Sequence, residues 1–197
     1  MADQGFNICI VSRNKNKIDE KIAELSQKHP NVQFKAVQAD LSNMTSVAEY
    51  NKLVADELAS LDIGILCLNA GCMPPGPVDL VTDADFERLC GLNVLHVVYL
   101  FKAILPKLLA RQKRCLVLTT SSQLAHNAMP GHALYAGTKA LVSLFMEAVH
   151  YELRDKIDVT AWEPGMCYTN LFDGQDFTPP GCLAQKADVA VRNVLKQ

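Results

Sequence analysis

Residues 115–164 read "CLVLTTSSQLAHNAMPGHALYAGTKALVSLFMEAVHYELRDKIDVTAWEP". The stretch opens on "CLVLTTSS" (115–122), a continuous apolar run of the kind that forms a buried parallel strand. "HALYAGTKALVSLFMEAVHYELRD" (132–155) then follows a helical period, and "IDVTAWEP" (157–164) returns to a strand pattern. Strand, crossover helix and strand make the building unit of a parallel sheet. Inside the helix, Tyr135 and Lys139 put a phenol and an ammonium four residues apart in an otherwise apolar stretch.

The same alternation extends upstream. "FNICIV" (6–11) is a strand followed by the helical "NKIDEKIAELSQKH" (16–29), and "VQFKAV" (32–37) is a strand followed by the helical "VAEYNKLVADELASL" (47–61). "IGILCLN" (63–69) reads as a buried parallel strand, and "AGCMPPGPVDL" (70–80) breaks the pattern with glycine and proline. A helix begins near Thr82, where "TDAD" supplies a capping hydroxyl and first-turn acids. It runs with an irregularity through "FERLCGLNVLHVVYLFKAILPKLLARQ" (86–112), and Pro106 either kinks it or starts its last segment. A Gly/Pro-rich loop (165–182) precedes a last short helix near 185–195. The order βαβαβαβαβα over one domain, 1–197, predicts an α/β fold with a doubly wound parallel sheet. Ligands of such sheets bind at the carboxyl ends of the strands, here "SRN", "QAD", "NAG", "TTSS" and "EPG".

Composition narrows the function. A hydrophobic fraction of 49% is ample for a core, and a net charge of -2 gives no electrostatic case for nucleic acid or an anionic membrane. The basic cluster "RQKR" (111–114) reads as a solvated helix end. Seven cysteines without a CxxC pair, among them Cys9, Cys67 and Cys115 in apolar runs, fit buried thiols in a reducing compartment. No Cys/His spacing suits zinc, so no metal is expected. The polar opening does not resemble a signal peptide, and no apolar run approaches the roughly 18 residues that span a bilayer. As written, the chain reads as soluble and cytoplasmic.

Residues at i and i+4 share a helix face, so Lys139 lies beside Tyr135. A neighbouring ammonium favours the phenolate and lowers a phenol pKa, which makes Tyr135 a usable acid or base. A core-edge tyrosine with a snorkelling lysine would give the same short motif. Ser122 ends the preceding strand, so it can meet the start of this helix. Asn93, embedded in the apolar "GLNVL", needs partners: it either satisfies backbone or holds water. "NAG" (69–71) offers a turn with little side-chain bulk, and "PG" (164–165) ends the last strand with Thr169 just beyond.

NAG, then Asn93, Ser122, YAGTK and PGMCYT, in that order and spread over nearly the whole chain, resemble the short-chain dehydrogenase/reductase family. The opening "GFNICIVSRN" further resembles the subgroup of microsomal 3-ketoacyl-CoA reductases and 17-beta-hydroxysteroid dehydrogenases. The resemblance implies a Rossmann-like fold and an oxidoreductase that moves a hydride between a nicotinamide cofactor and a carbonyl or secondary alcohol. It implies Tyr135 as acid/base, Lys139 as its tuner and ribose ligand, Ser122 on the substrate oxygen and Asn93 on a relay water. It places Asn69, Ala70 and Gly71 along the adenosine side of the cofactor, with Asp40 and Leu41 of "QADL" at the adenine. Pro164, Gly165, Met166 and Thr169 would meet the nicotinamide end.

An NAD site needs a carboxylate for the ribose 2′-hydroxyl, whereas Ser12 and Arg13 end the first strand here. Arg13 suits a 2′-phosphate, so NADP(H) is expected over NAD(H); a surface arginine opening a helix would look the same. The substrate is expected to be a small-molecule carbonyl or alcohol, apolar in character, and Phe172 and Phe177 of loop 166–184 read either as an apolar lid over it or as packing residues of the loop. The family implies a homo-oligomer built on the helices of 82–111 and 132–154.

The sequence departs from the family at both ends, and at the carboxyl end it stops before the family's last strand. It holds neither the first strand nor the TGxxxGxG turn that seats the pyrophosphate on a helix N-terminus. It is therefore expected to be a piece of a longer enzyme, whose membrane anchor, if it has one in the endoplasmic reticulum, lies in the missing part. The alternative is a true short chain without the phosphate turn, a non-catalytic nucleotide-sensing or interaction protein. A hydrolase built on Ser122 finds no support: no G-x-S-x-G surrounds it and His126 shows no acid partner in the sequence.

Overall fold

A computed structural model describes residues 1–74, 76–169, 171 and 184–194. By its contacts the chain divides into two compact units, Met1–Asn43 and Met44–Gln197.

In the first unit, strand β1 (Ile8–Ser12), helix α1 (Lys15–Lys28) and strand β2 (Phe34–Gln38) form one crossover. The strands pair in parallel from Ile8 against Phe34 to Ser12 against Gln38. Asn14 caps α1 by accepting the Lys17 N–H at 3.0 Å, which satisfies one of the helix's orphan donors. Ile18 is the buried residue of this otherwise polar helix, and α1 packs on β2.

The second unit starts with helix α2 (Val47–Leu53), set by a capping box in which the Ser46 hydroxyl and the Glu49 carboxylate serve each other's backbone. A π-turn (Val54–Leu58) extends it. Strand β3 (Ile65–Leu68), helices α3 (Asp83–Cys90) and α4 (His96–Ala110), strand β4 (Cys115–Thr120), helix α5 (Ala133–Leu153) and strand β5 (Ile157–Trp162) follow. The three strands form a parallel sheet in the order β3-β4-β5. Leu68 lies opposite Thr119, and Thr120 opposite Trp162, so the polar strand ends line up at one edge. Val117 and Ile157 are fully buried, and Ile104, Leu108, Val142 and Met146 are at most 2% exposed. Two-residue strands β6 (Cys167–Tyr168) and β7 (Gln185–Lys186) pair in parallel, and helix α6 (Ala187–Val194) closes the described residues.

The α/β class and the parallel, helix-connected strands are as the alternation predicts. Several readings need correction. The 63–69 run is not buried throughout: among the described residues β3 pairs with β4 alone, Leu66 and Leu68 are buried, Ile65 is half-buried and Cys67 is exposed. Of the three cysteines read as buried thiols, Cys115 is buried, Cys9 is half-buried and Cys67 is exposed. The irregularity in the long helix falls at a π-turn (Gly91–Leu95), not at Pro106, which sits inside α4 four residues before its end. Asp83–Ala110, 28 residues, is also long and apolar enough by length and composition to cross a membrane, contrary to the sequence reading. In this fold it packs against α2 and α5 and carries the buried polar Asn93 and His96, as a core helix does. The β6–β7 ladder was not foreseen, because two-residue strands leave no periodicity to read. Phe172, Phe177 and the proposed lid around them lie outside the described residues.

Candidate active site

Helix α5 begins a few residues after β4 ends, because residues 123–126 form a single 3-10 turn capped by Ser122. The Ser122 hydroxyl accepts the Leu124 N–H at 3.2 Å and makes a side-chain hydrogen bond with Tyr135. Tyr135 and Lys139 are 6% and 5% exposed, so the i, i+4 pair of the sequence lies on the buried face of α5. Tyr135 packs with Met73 and Leu89, and Cys72, Leu124, Leu134 and Leu171 surround that cluster.

The ammonium of Lys139 sits 5.7 Å from the centre of the Tyr135 ring and donates to the Thr120 carbonyl at 2.8 Å. Burial pushes its pKa down to about 8, partly opposed by Cys72. Burial also raises the phenol pKa of Tyr135, with the Ser122 hydrogen bond pulling the other way. This reverses the expected direction: Lys139 lies over the ring face, and desolvation outweighs every other influence on the phenol. A neutral phenol is a proton donor, which suits reduction of a carbonyl.

Asn93 is 1% exposed in the π-turn, and its amide is fully engaged. Its Oδ1 accepts the Cys72 N–H at 2.9 Å; its Nδ2 donates to the Cys72 carbonyl at 3.0 Å and to the Thr138 hydroxyl at 3.2 Å. The Thr138 hydroxyl in turn donates to the Tyr135 carbonyl at 2.7 Å. The Asn93 side chain satisfies the Cys72 backbone, one of the two alternatives left open by the sequence. One helical turn on, His96 is 2% exposed and its Nδ1 lies 3.1 Å from the Leu92 carbonyl. A carbonyl only accepts, so Nδ1 carries the hydrogen. Burial above all, with Lys139 adding to it, pushes the His96 pKa down to about 4, and the ring is neutral at pH 7.

The strand ends supply the rest. Asn69 Oδ1 accepts the Thr120 hydroxyl at 2.8 Å, and Ala70 leads to Gly71. A Cβ on Gly71 would meet Asn93 Oδ1 at 3.2 Å and Lys139 Nζ at 3.7 Å, so glycine lets this backbone approach both groups. Beyond β5, Pro164 accepts from the Gln123 N–H at 3.1 Å, and a Cβ on Gly165 would come within 3.0 Å of the Gln123 side chain. Met166 accepts from Gln185 N at 3.0 Å, and the Thr169 hydroxyl accepts from Leu171 N at 3.3 Å. In the first unit, Ser12 O accepts from Ala39 N at 3.1 Å, and an open polar cleft of about 580 Å³ is lined by Arg13, Asn14, Lys15, Asn16, Gln38, Ala39 and Asp40. The Asp40 carboxylate is lowered in pKa, first by Ser42, whose hydroxyl donates at 2.6 Å, and the next residue, Leu41, is buried.

The geometry thus draws Asn93, Ser122, Tyr135, Lys139 and Gly71 together at the carboxyl edge of β3-β4-β5, with Asn93, Tyr135 and Lys139 buried, Ser122 half-buried and Gly71 exposed. The residue pattern also matches the family model for short chain dehydrogenases over residues 1–177. The chain belongs to the short chain dehydrogenase family. A very-long-chain 3-oxoacyl-CoA reductase of Caenorhabditis briggsae is 30% identical over 95% of this chain and 61% of its own length. Mouse (Mus musculus) 17-beta-hydroxysteroid dehydrogenase type 3 is 31% identical over 79% of this chain and 50% of its own. A short-chain dehydrogenase from Sphingobium yanoikuyae, solved in complex with NADPH, superposes with a TM-score of 0.88 at 25% identity over 99% of this chain and 75% of that one. This short-chain dehydrogenase chain spans about half to three fifths of the length of such curated relatives.

Sequence reasoning missed Thr138, His96 and the partner of His126. His126 Nε2 lies 2.8 Å from Glu163 Oε2, so this histidine does have an acid partner. The pair is 37 residues apart and meets only through strand pairing, which no local pattern reveals. It does not revive the hydrolase reading, since the Ser122 hydroxyl is engaged by Leu124 N and Tyr135.

Proposed function

We propose that this chain carries the catalytic site of an NADP(H)-dependent oxidoreductase that reduces a ketone on an apolar substrate, or oxidises the corresponding secondary alcohol. The observation that carries the reading is the buried Tyr135, hydrogen-bonded to Ser122 and stacked under the Lys139 ammonium.

The residues suit a nicotinamide nucleotide. Gly71 keeps a side chain away from Asn93 and Lys139, which leaves space at the strand ends, and Arg13 offers a guanidinium in an open polar cleft. Arg13 would hold a 2′-phosphate, Asp40 and Leu41 the adenine, and Asn69, Ala70 and Gly71 the adenosine side. Lys139 would hold the nicotinamide ribose, and Pro164, Gly165, Met166 and Thr169 the nicotinamide end. When bound, the reduced cofactor supplies the hydride. Tyr135 gives its proton to the substrate oxygen, and its raised pKa keeps that proton in place until negative charge develops there. Ser122 donates to the same oxygen, and Lys139 stabilises the phenolate left behind. Asn93 fixes the Cys72 backbone and, through Thr138, the first turn of α5 that presents the phenol.

The apolar substrate is supported by the relatives, whose names denote 3-oxoacyl thioesters and 17-hydroxysteroids. Leu141, Leu144 and Tyr151, between 46% and 68% exposed on α5, support self-association along that helix. The test is NADPH consumption with medium- and long-chain 3-oxoacyl-CoA and with 17-ketosteroids, repeated for Tyr135→Phe. Turnover that falls by about 10²–10⁴-fold in the variant supports the reading. Turnover that survives it, or a folded chain that binds no NADPH, sinks it.

A further inference from the structure

A third polar side chain continues the Tyr135–Lys139 face of α5. Ser143, one further turn along, is 8% exposed, and its hydroxyl donates to Glu163 Oε1 at 2.6 Å. Ser121, 2% exposed, lies 2.7 Å from the Ser143 hydroxyl and 3.0 Å from the Lys139 carbonyl. The other Glu163 oxygen meets His126 at 2.8 Å. The last residue of β4 and the one after it therefore hold one lysine at both ends: Thr120 takes its ammonium and Ser121 its backbone carbonyl.

We propose that Glu163 and Ser143 are positioning residues that fix Lys139 through Ser121. The proposal rests on the reading above that Lys139 belongs to the active site. Three contacts link the Lys139 carbonyl to the Glu163 carboxyl, but Ser121 and Ser143 bring only two hydroxyl protons. The carbonyl can only accept, so with Ser121 donating to it and Ser143 to Glu163 the contact between the two hydroxyls has no hydrogen of its own. A glutamine at 163 would supply the third hydrogen from its amide and still accept from His126. An alanine would leave Ser143 without its partner and Ser121 free to turn away. The chain of contacts, rather than the charge of Glu163, is then what holds the lysine.

The direct readout is the titration midpoint of the Lys139 ε-methylene resonance in the full chain, assigned by its disappearance in Lys139→Arg. Among the described residues Tyr135, Cys72 and His96 are titratable groups that act on this ammonium, and they are unchanged in the variants. The parent midpoint is expected near about 8. Glu163→Ala and Ser143→Ala should move it upward by a unit or more, as the ammonium gains water, and Glu163→Gln should restore it. Ser143→Ala, which removes a single oxygen, carries the test if Glu163→Ala does not fold. An unchanged midpoint in the folded alanine variants overturns the proposal, and so does a glutamine variant that behaves like alanine. NADPH titration of the same proteins separates the two readings. A parent that binds no NADPH removes the catalytic reading, while the Lys139 midpoints still decide whether Glu163 and Ser143 position the lysine.

Discussion

Asn93 grips the backbone of Cys72 from both sides, accepting its N–H at 2.9 Å and donating to its carbonyl at 3.0 Å. The two residues are 21 positions apart, so one amide ties the loop after β3 to the π-turn before α4. Its remaining hydrogen reaches Thr138 and thereby the carbonyl of Tyr135. The loop after β3, the long helix and helix α5 are joined by a single side chain.

Asn93→Ala should therefore act first on stability. It strands a donor and an acceptor at Cys72, each costing about 1–3 kcal/mol when buried. A loss of about 3 kcal/mol is expected, which for a chain of this size lowers Tm by roughly 6–12 °C. Differential scanning calorimetry checks it. Gly71→Ala should show a smaller loss of the same origin, since its Cβ would press on Asn93 Oδ1 at 3.2 Å. A melting curve unchanged by Asn93→Ala would mean that water replaces the amide at no cost.

Lys139 should weaken the fold at neutral pH. Its folded-state pKa of about 8 lies below the ordinary 10.5, so the unfolded chain binds more protons between those values and stability rises with pH across that window. Below about pH 8 the full burial penalty applies, about 3 kcal/mol from the size of the shift. Lys139→Met removes that penalty and gives up one hydrogen bond worth about 1 kcal/mol. The variant should be the more stable protein at pH 7, and its advantage should shrink by roughly 2 kcal/mol by pH 9.5. Urea denaturation at the two pH values reads this directly. An advantage that stays constant with pH would show that the ammonium is not desolvated.

Arg13 should choose the cofactor. It lines the polar cleft of the first unit, where Asp40 is already committed to Ser42 and Asn43 and is poorly placed to serve a ribose hydroxyl. Hydrogen bonds to a charged group contribute about 1.5–3 kcal/mol, so Arg13→Ala should weaken NADPH binding by about 10–150-fold. NADH binding should change by less than a factor of about 2, because its ribose carries no phosphate for the guanidinium to meet. Calorimetric titration of both nucleotides gives the answer. Equal losses for the two would make Arg13 a structural residue of the α1 entry.

Much of this was legible in the sequence, for identifiable reasons. A continuous apolar run marked β4, a strand pattern marked β5, and the Thr82 cap marked where α3 starts. Tyr135 and Lys139 could be placed on one face because helical spacing is local. Long-range facts were not legible. The β3 run looks like a buried strand, yet how much of a strand is covered depends on its neighbours and not on its own residues. Asn93 could be marked as needing partners, but Cys72 is brought to it only by the fold. The direction of the Tyr135 shift depended on the balance of burial against charge, and spacing alone carries the charge without the burial.

That balance sets the pH behaviour of the proposed reaction. Burial raises the Tyr135 phenol above its ordinary value, so the residue remains a proton donor across the whole neutral range. Reduction, which consumes that proton, should show no loss between pH 6 and about pH 9 attributable to Tyr135. Ser122→Ala removes the hydroxyl that opposes the upward shift, and it also removes a donor to the substrate oxygen. Its kcat should fall by about 10²–10³-fold, the range found when one such donor is lost. Because burial alone would then act on the phenol, any alkaline limb of the reduction profile should move to higher pH in this variant. Initial rates across pH for parent and variant test both expectations. An alkaline limb that moves to lower pH would mean that Ser122 withdraws from, rather than supports, the ionised phenol.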